Sequence, residues 1–352
     1  MDERHRPTPE EQALLQGRYT RQTLFQGLGE EGQLRLMRSR VVVAGCGALG
    51  SIQATLLARA GVGTLRVVDR DFVEEANLQR QVLFDEADAA SFQPKATAAA
   101  SRLRRANSAV KVEGIVDDIN ASTVDRLLGG FDLILDGTDN FATRFLINDF
   151  AVKHNVPWVY GACVGAYGLS FTIVPGETPC LRCLFEPPPQ GTTPTCDTAG
   201  VIGPVAAVIA SIQAAEALKL LAGKTGALSR RITFVDLWEN TFEPADPPER
   251  QPECPCCGQR KFEYLEGGGR SLTISLCGRD AVQVIPATAT KLDLDALGDR
   301  LAPVGRVRST RHLLRAQIDE YVLTVFPDGR AIVNGTGDAT VAKSLYARYV
   351  GA

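Results

Sequence analysis

Three groups of residues in this chain have the types and spacing that chemistry requires. Gly45-Cys46-Gly47-Ala48-Leu49-Gly50 follows an apolar run and precedes a helical stretch. In that context a glycine turn lets a phosphate approach backbone N–H groups at a helix N-terminus, whose partial positive charge favours an anion. Gly45, Gly47 and Gly50 are therefore read as nucleotide contacts. Asp69, with Asp71 beside it, follows about 20 residues on, where an acidic group can hold ribose hydroxyls.

The loop alone does not distinguish NAD from ATP; the second group does. Asn77-Leu-Gln-Arg80-Gln81, Gln93-Pro-Lys95 and Asp136-Gly-Thr-Asp139-Asn140 each lie at or just after the C-terminal end of an expected strand. In an open parallel sheet those ends meet at one crevice. Arg80 and Lys95 bring cations there, and Asp139 a carboxylate suited to Mg²⁺ on the same triphosphate. The alternative is a zinc-containing NAD-dependent oxidoreductase, which leaves Arg80, Lys95 and Asp139 without a task. Taken singly, Lys95 reads as a solvated first-turn lysine and Arg80 as a surface loop arginine.

The third group is the cysteines, nine in all. Cys180-Leu-Arg-Cys183 and Cys254-Pro-Cys256-Cys257 have metal-type spacing, and four thiolates close a tetrahedral zinc site with no position left for water. Cys256 competes for one ligand position, but Cys254 and Cys257 match the spacing of the first pair. Cys196 stands in a polar loop before a long helix whose N-terminus can raise its thiolate fraction; a spare loop thiol is the plainer reading. Cys46 and Cys163 read as buried small apolar residues. Cys277 invites comparison with a sulfurtransferase loop, yet the residues after it alternate as a strand does.

The elements that position these groups follow an alternating pattern. Strands are expected at 40–45, 65–69, 111–116, 131–135 and 157–160. Helices are expected at 51–60, 95–106, 122–128 and 143–154. That alternation implies βαβ units, a Rossmann-like mainly parallel sheet with helices on both faces. An added strand (169–174), a long apolar helix (201–221) and a hairpin (231–236, 241–243) follow. Residues 1–39 read as an N-terminal helical segment with one short amphipathic helix around Leu28, Leu34, Leu36 and Met37. Residues 40–265 form the nucleotide-binding domain. After the Gly-rich linker near 266, residues 266–352 form a small α+β domain with strands at 272–276, 282–285, 321–326 and 331–333 and a closing helix at 338–349.

At 352 residues, with a formal net charge of −3 and 45% hydrophobic content, the chain is expected to fold as an ordinary globular protein. The charge argues against direct nucleic-acid binding or an anionic membrane. The uncharged stretches at 155–176 and 198–215 contain glycine, proline and polar residues and do not read as membrane spans. The first residues lack the apolar core of a secretory signal, and paired metal-type cysteines point to a reducing cytoplasm.

These stretches, together with Arg18-Tyr-Thr-Arg21-Gln22, resemble the MoeB/ThiF family, bacterial relatives of the ubiquitin-activating enzymes, over roughly residues 10–260. The resemblance implies an adenylyltransferase acting on the C-terminal glycine of a ubiquitin-fold sulfur carrier ending in Gly-Gly, with ATP, Mg²⁺ and Zn²⁺. It implies nucleotide contact from Ala48, Asp69, Asn77, Arg80, Lys95 and Asn140, and Asp139 on Mg²⁺. It further implies a homodimer in which Arg21 reaches the partner's phosphates, Cys196 as an acyl or sulfur relay, and a cysteine desulfurase or sulfurtransferase as sulfur donor. Carriers for thiamin thiazole, molybdopterin or tRNA thiolation all fit. Ala48 departs from the glycine common in relatives, a change that matters little where only backbone faces the phosphate.

Overall fold

The computed structural model describes residues 6–185, 200–266, 274–275, 281–284, 286, 291–310 and 313–351. These fall into two compact units divided at Leu265 and Glu266.

The first unit is built on strands β1 (Arg40–Ala44), β2 (Thr64–Val68), β3 (Lys111–Ile115), β4 (Leu133–Asp136), β5 (Trp158–Val164), β6 (Tyr167–Ile173), β7 (Ile232–Asp236) and β8 (Thr241–Ala245). They form one sheet in the order β3-β2-β1-β4-β5-β6-β7-β8. The pairings from β3 to β5 are parallel, and those from β5 to β8 antiparallel. Its helices are α1 (Pro9–Gln16), α2 (Thr20–Thr23), α3 (Gly29–Arg38), α4 (Ala48–Ala60), α5 (Glu86–Ala90), α6 (Lys95–Ala106), α7 (Val124–Leu128), α8 (Phe141–His154), α9 (Leu181–Leu184), α10 (Gly203–Leu221) and α11 (Glu263–Glu266).

β1 explains the layering. Val41 and Val43 point into a core shared with Leu57 of α4 and Leu103 of α6. Val42 and Ala44 point into the opposite core, with Leu127 of α7 and Phe145 and Phe150 of α8. A strand that feeds two cores has no polar face, which is why it reads as an unbroken apolar run. The order of strand addition reverses at β1, with β2 laid on one side of it and β4 on the other, so the loops after β1, β2 and β4 open into one crevice.

α4 ends at Gly61 (φ +86), where a side chain would strike the ring of Tyr19. Tyr19 accepts a hydrogen bond from Asn107 (2.9 Å), and Gln22 and Gln33 both donate to Ala60 O (2.9 Å each). The N-terminal helical segment comprises three short helices, and it is moored to α4 by polar contacts that apolar periodicity does not reveal. α10 lies on α4, β5 and β6, and Gly161 and Gly168 leave room for its Gln213 and Ile209. Among the described residues it is the one helix long and apolar enough to cross a membrane, but half of that stretch is buried.

The second unit is a six-stranded antiparallel sheet, β11-β12-β13-β14-β10-β9, from β9 (Ile274–Ser275), β10 (Ala281–Val284), β11 (Arg306–Thr310), β12 (Leu313–Ile318), β13 (Tyr321–Val325) and β14 (Ala331–Asn334). Helices α12 (Leu294–Leu301) and α13 (Ala339–Tyr349) share its core with Val282, Leu314, Leu323 and Val333. β11, β12 and α12 are additions to the expected elements. In β11 the alternating arginines leave little apolar signal, and α12 shows only Leu294, Leu297 and Leu301 on its buried face.

Candidate active site

The three glycines of the loop have different reasons to be glycine. Gly45 sits at φ +87, and a Cβ there would lie 2.6 Å from Gly137 O. At Gly50 it would lie 1.9 Å from Gly45 O. Internal packing requires both. At Gly47, the N-cap of α4, the nearest atom to such a Cβ is Gln81 Nε2 at 3.8 Å. Nothing in the fold demands glycine there, so the missing side chain serves whatever approaches from outside. No side chain caps α4, and its first-turn N–H groups, beginning at Ala48, form an anion cradle. Gln81 is buried with its Oε1 lacking a hydrogen-bond partner. A buried unpaired acceptor is unfavourable by about 1–3 kcal/mol, and a donor on a bound ligand would relieve it.

Asp69 locks this loop to the next. Its Oδ2 accepts from Cys46 N–H (2.6 Å) and its Oδ1 from Asp71 N–H (2.7 Å). Burial raises its pKa, while the nearby Lys95 charge opposes the rise. Lys95, buried at the start of α6, places Nζ 3.5 Å from Asp71 Oδ2. Arg70, which sequence reasoning missed, lies between Asp118 (2.7 Å) and Asp71 (3.8 Å). Burial opposes the Arg70 charge, yet Asp118, Asp71 and Asp139 together hold its pKa above the ordinary value. Asp139 thereby belongs electrostatically to the same cluster. Arg80 donates to Asn77 Oδ1 (2.9 Å) and Ala76 O (3.2 Å). Gly203 packs the start of α10 directly on this segment, where a Cβ would lie 2.9 Å from Gln79 O.

The loop after β4 is held from below. Asp136 Oδ1 accepts from the N–H (2.9 Å) and hydroxyl (2.7 Å) of Thr138. Arg144 Nε donates to Asp136 Oδ2 (3.1 Å), and its Nη2 to Thr138 O (2.7 Å) and Gly161 O (3.2 Å). Gln53 and Gln213 each donate to Asp136 O (2.8 and 2.9 Å). Burial raises the Asp136 pKa against the pull of Arg144. Asn140 caps α8, its Oδ1 accepting from Thr143 N–H (2.8 Å), while Asp139 is exposed. The faint sequence signal for Gln53 and Gln213 is a single glutamine in a helix of mostly apolar residues; Arg144 stands among other polar residues and gives none. Arg21 is exposed on α2, which packs on α1 and α3. Cys196 and Cys277 lie outside the described residues.

The sulfur atoms of Cys180, Cys183, Cys254 and Cys257 all lie within 4.8 Å of one another. Cys180–Cys254 is 3.7 Å and Cys183–Cys257 3.4 Å. A tetrahedral site with Zn–S bonds of about 2.3 Å needs sulfurs about 3.8 Å apart, so the donor set fits Zn²⁺. Cys256, buried beside them, instead accepts from Asn148 Nδ2 (3.2 Å). Asn148 Oδ1 accepts from Leu181 N–H (2.8 Å), so one α8 side chain holds both halves of the knuckle. Cys46 is fully buried, and burial raises its thiol pKa, which makes it inert.

The sequence profile of the ThiF family matches residues 19–256. The sulfur carrier protein ThiS adenylyltransferase of Bacillus subtilis is 43% identical over 339 residues, covering 96% of this chain and 100% of that protein. The SAMP-activating enzyme E1 of Haloferax volcanii is 43% identical over 250 residues, covering 71% and 91%. Among solved structures, Escherichia coli MccB with ATP has a similar fold, with a TM-score of 0.61 at 24% identity over 69% of this chain and 75% of that one.

Two pairs of substitutions test the geometry. Gly50→Ala is expected to destabilise the protein by more than about 3 kcal/mol, whereas Gly47→Ala should keep its melting temperature and weaken ATP binding at least about tenfold; equal stability losses would contradict the division between them. Cys257→Ser should lose bound zinc and melt earlier, while Cys256→Ser retains one zinc per chain. Metal analysis giving the reverse would exchange the two cysteines' roles.

Proposed function

The chain belongs to the ThiF family, and from that premise we propose that it adenylates the C-terminal glycine of a ubiquitin-fold sulfur carrier ending in Gly-Gly, releasing pyrophosphate. The observation that carries this reading is the convergence of Lys95, Asp71, Asp69 and the open Gly47 turn around one helix N-terminus. The length over which the chain matches the ThiS adenylyltransferase of B. subtilis favours a ThiS-type carrier, hence thiamin biosynthesis, over a molybdopterin carrier.

The chemistry follows from charge. The glycine carboxylate is ionised at neutral pH, so no general base is needed. One carboxylate oxygen attacks the α-phosphorus, the bond from that phosphorus to the bridging oxygen breaks, and pyrophosphate leaves with the electron pair. The obstacle is anion repulsion, which Arg80, Lys95 and the α4 N-terminus offset. Asp139 would hold Mg²⁺, which would supply further charge neutralisation on the triphosphate. Asp69 holds the ribose; Asn77, Gln81 and Asn140 line the nucleotide. Zn²⁺ on the four cysteines is structural.

In this reading the enzyme is a homodimer with Arg21 completing the partner's site in the manner of an arginine finger. Cys196 is the relay for the later sulfur step, fed by a cysteine desulfurase or sulfurtransferase, in the cytoplasm. An NAD-dependent oxidoreductase is favoured by no observation, and both relatives named above are activating enzymes.

The test is ATP–pyrophosphate exchange with Gly-Gly carriers. Wild type should exchange, and Asp139→Ala should lose about 10²–10³-fold in rate with its fold intact; tight NAD binding without ATP binding would overturn the reading. Mixing Arg21→Ala with Asp139→Ala should restore activity through dimers with one complete site, and background activity despite proven subunit exchange would remove Arg21 from the partner's site.

A further inference from the structure

The buried polar knot beneath the loop after β4 has no place in the steps above, because the hydrogen bonds of Asp136, Arg144, Gln53 and Gln213 turn inward onto the fold. We infer that Arg144 is a positioning residue for adenylation: through the Thr138 carbonyl it fixes where Asp139 and Asn140 stand. The inference rests on the adenylation reading and deepens it.

Arg144 and Asp136 are both buried, with the guanidinium between the rings of Phe141 and Tyr160 (5.5 and 5.4 Å to the centroids). Removing both charges from water is unfavourable, and apolar side chains of similar volume often hold a core as well or better. Core stability therefore does not explain why an ion pair sits here. Its geometry does.

One planar fork reaches three acceptors on three segments: Asp136 Oδ2 at the end of β4, Thr138 O in the loop and Gly161 O in β5. The Thr138 C=O and the Asp139 N–H belong to one rigid peptide plane. Fixing the carbonyl oxygen at 2.7 Å therefore orients the backbone from which the exposed Asp139 carboxylate departs. Asp136 fixes the other side of the same residue through the Thr138 N–H and hydroxyl. Gln53 of α4 and Gln213 of α10 clamp Asp136 O. Asn140 and Arg144 are four residues apart and share a face of α8, so the helix start and the loop are set by one element. Lysine, a compact point charge on a flexible stem, cannot reproduce the fork.

The experiment is the Mg²⁺ dependence of carrier-driven ATP–pyrophosphate exchange in full-length Arg144→Lys, alongside thermal melting and the carrier KM. The expected result is a cooperative melt, an unchanged carrier KM, a rate lower by about 10²-fold and a half-saturating Mg²⁺ concentration raised about tenfold, because the displaced Asp139 no longer meets the ion in register. A lower rate at an unchanged Mg²⁺ half-saturation would mean that less of the protein is correctly folded, and would overturn the inference. Should Arg144→Lys fail to fold, the charge-free pair Asp136→Asn with Arg144→Gln is read by the same two criteria. Absence of exchange in the wild-type protein would instead overturn the adenylation reading, and this inference with it.

Discussion

The buried ion pair between Asp136 and Arg144 is the constraint on which the rest of the site depends. Each charge moved into the interior is unfavourable by several kcal/mol before pairing, and here almost every donor and acceptor is directed at backbone that must not move. The glycine loop is fixed in turn by what this pair holds: Gly137 passes so close to residue 45 that only a glycine fits there. Asp69 then ties Cys46 to the strand beyond. Three loops from three strands are thereby joined, the first to the third by backbone packing and the first to the second by the Asp69 side chain.

α8 extends the same constraint to the cysteine knuckle. Asn140 caps its start, Arg144 holds the loop, and Asn148 one turn later bonds Leu181 and Cys256. These positions recur every four residues and so lie along one side of the helix. The cysteine knuckle, about two turns from the loop after β4, is therefore joined to it by a single rod, which gives the knuckle a reason to belong to this domain beyond general stability.

Much of this was legible in the sequence. β1 announced itself because both its faces are buried, and the glycine loop because its spacing has a mechanism. The cysteine spacing distinguished Cys257 from Cys256, and the sulfur positions agree. Of the residues that were missed, Gln53, Gln213 and Arg70 have partners distant in sequence, while Arg144 turns back on the loop just before its own helix. Gln53 meets Gln213 across the core, and Arg70 meets Asp118. No local pattern encodes such a meeting. Asn140 shows a different limit, since its residue type suits a ligand contact and an N-cap equally, and the structure shows it capping α8. In the second unit, arginines on the outward positions of β11 hid its alternation.

The central claim is that the carrier's own carboxylate oxygen attacks the α-phosphorus of ATP. The most direct measurement uses a carrier labelled with ¹⁸O in its C-terminal carboxylate, incubated with enzyme and ATP and then discharged with hydroxylamine. Attack of the carboxylate on phosphorus, followed by cleavage of the acyl carbon–oxygen bond, places one labelled oxygen in AMP, and the account predicts that AMP. AMP formed without label, or consumption of ATP that yields ADP and phosphate, would contradict it.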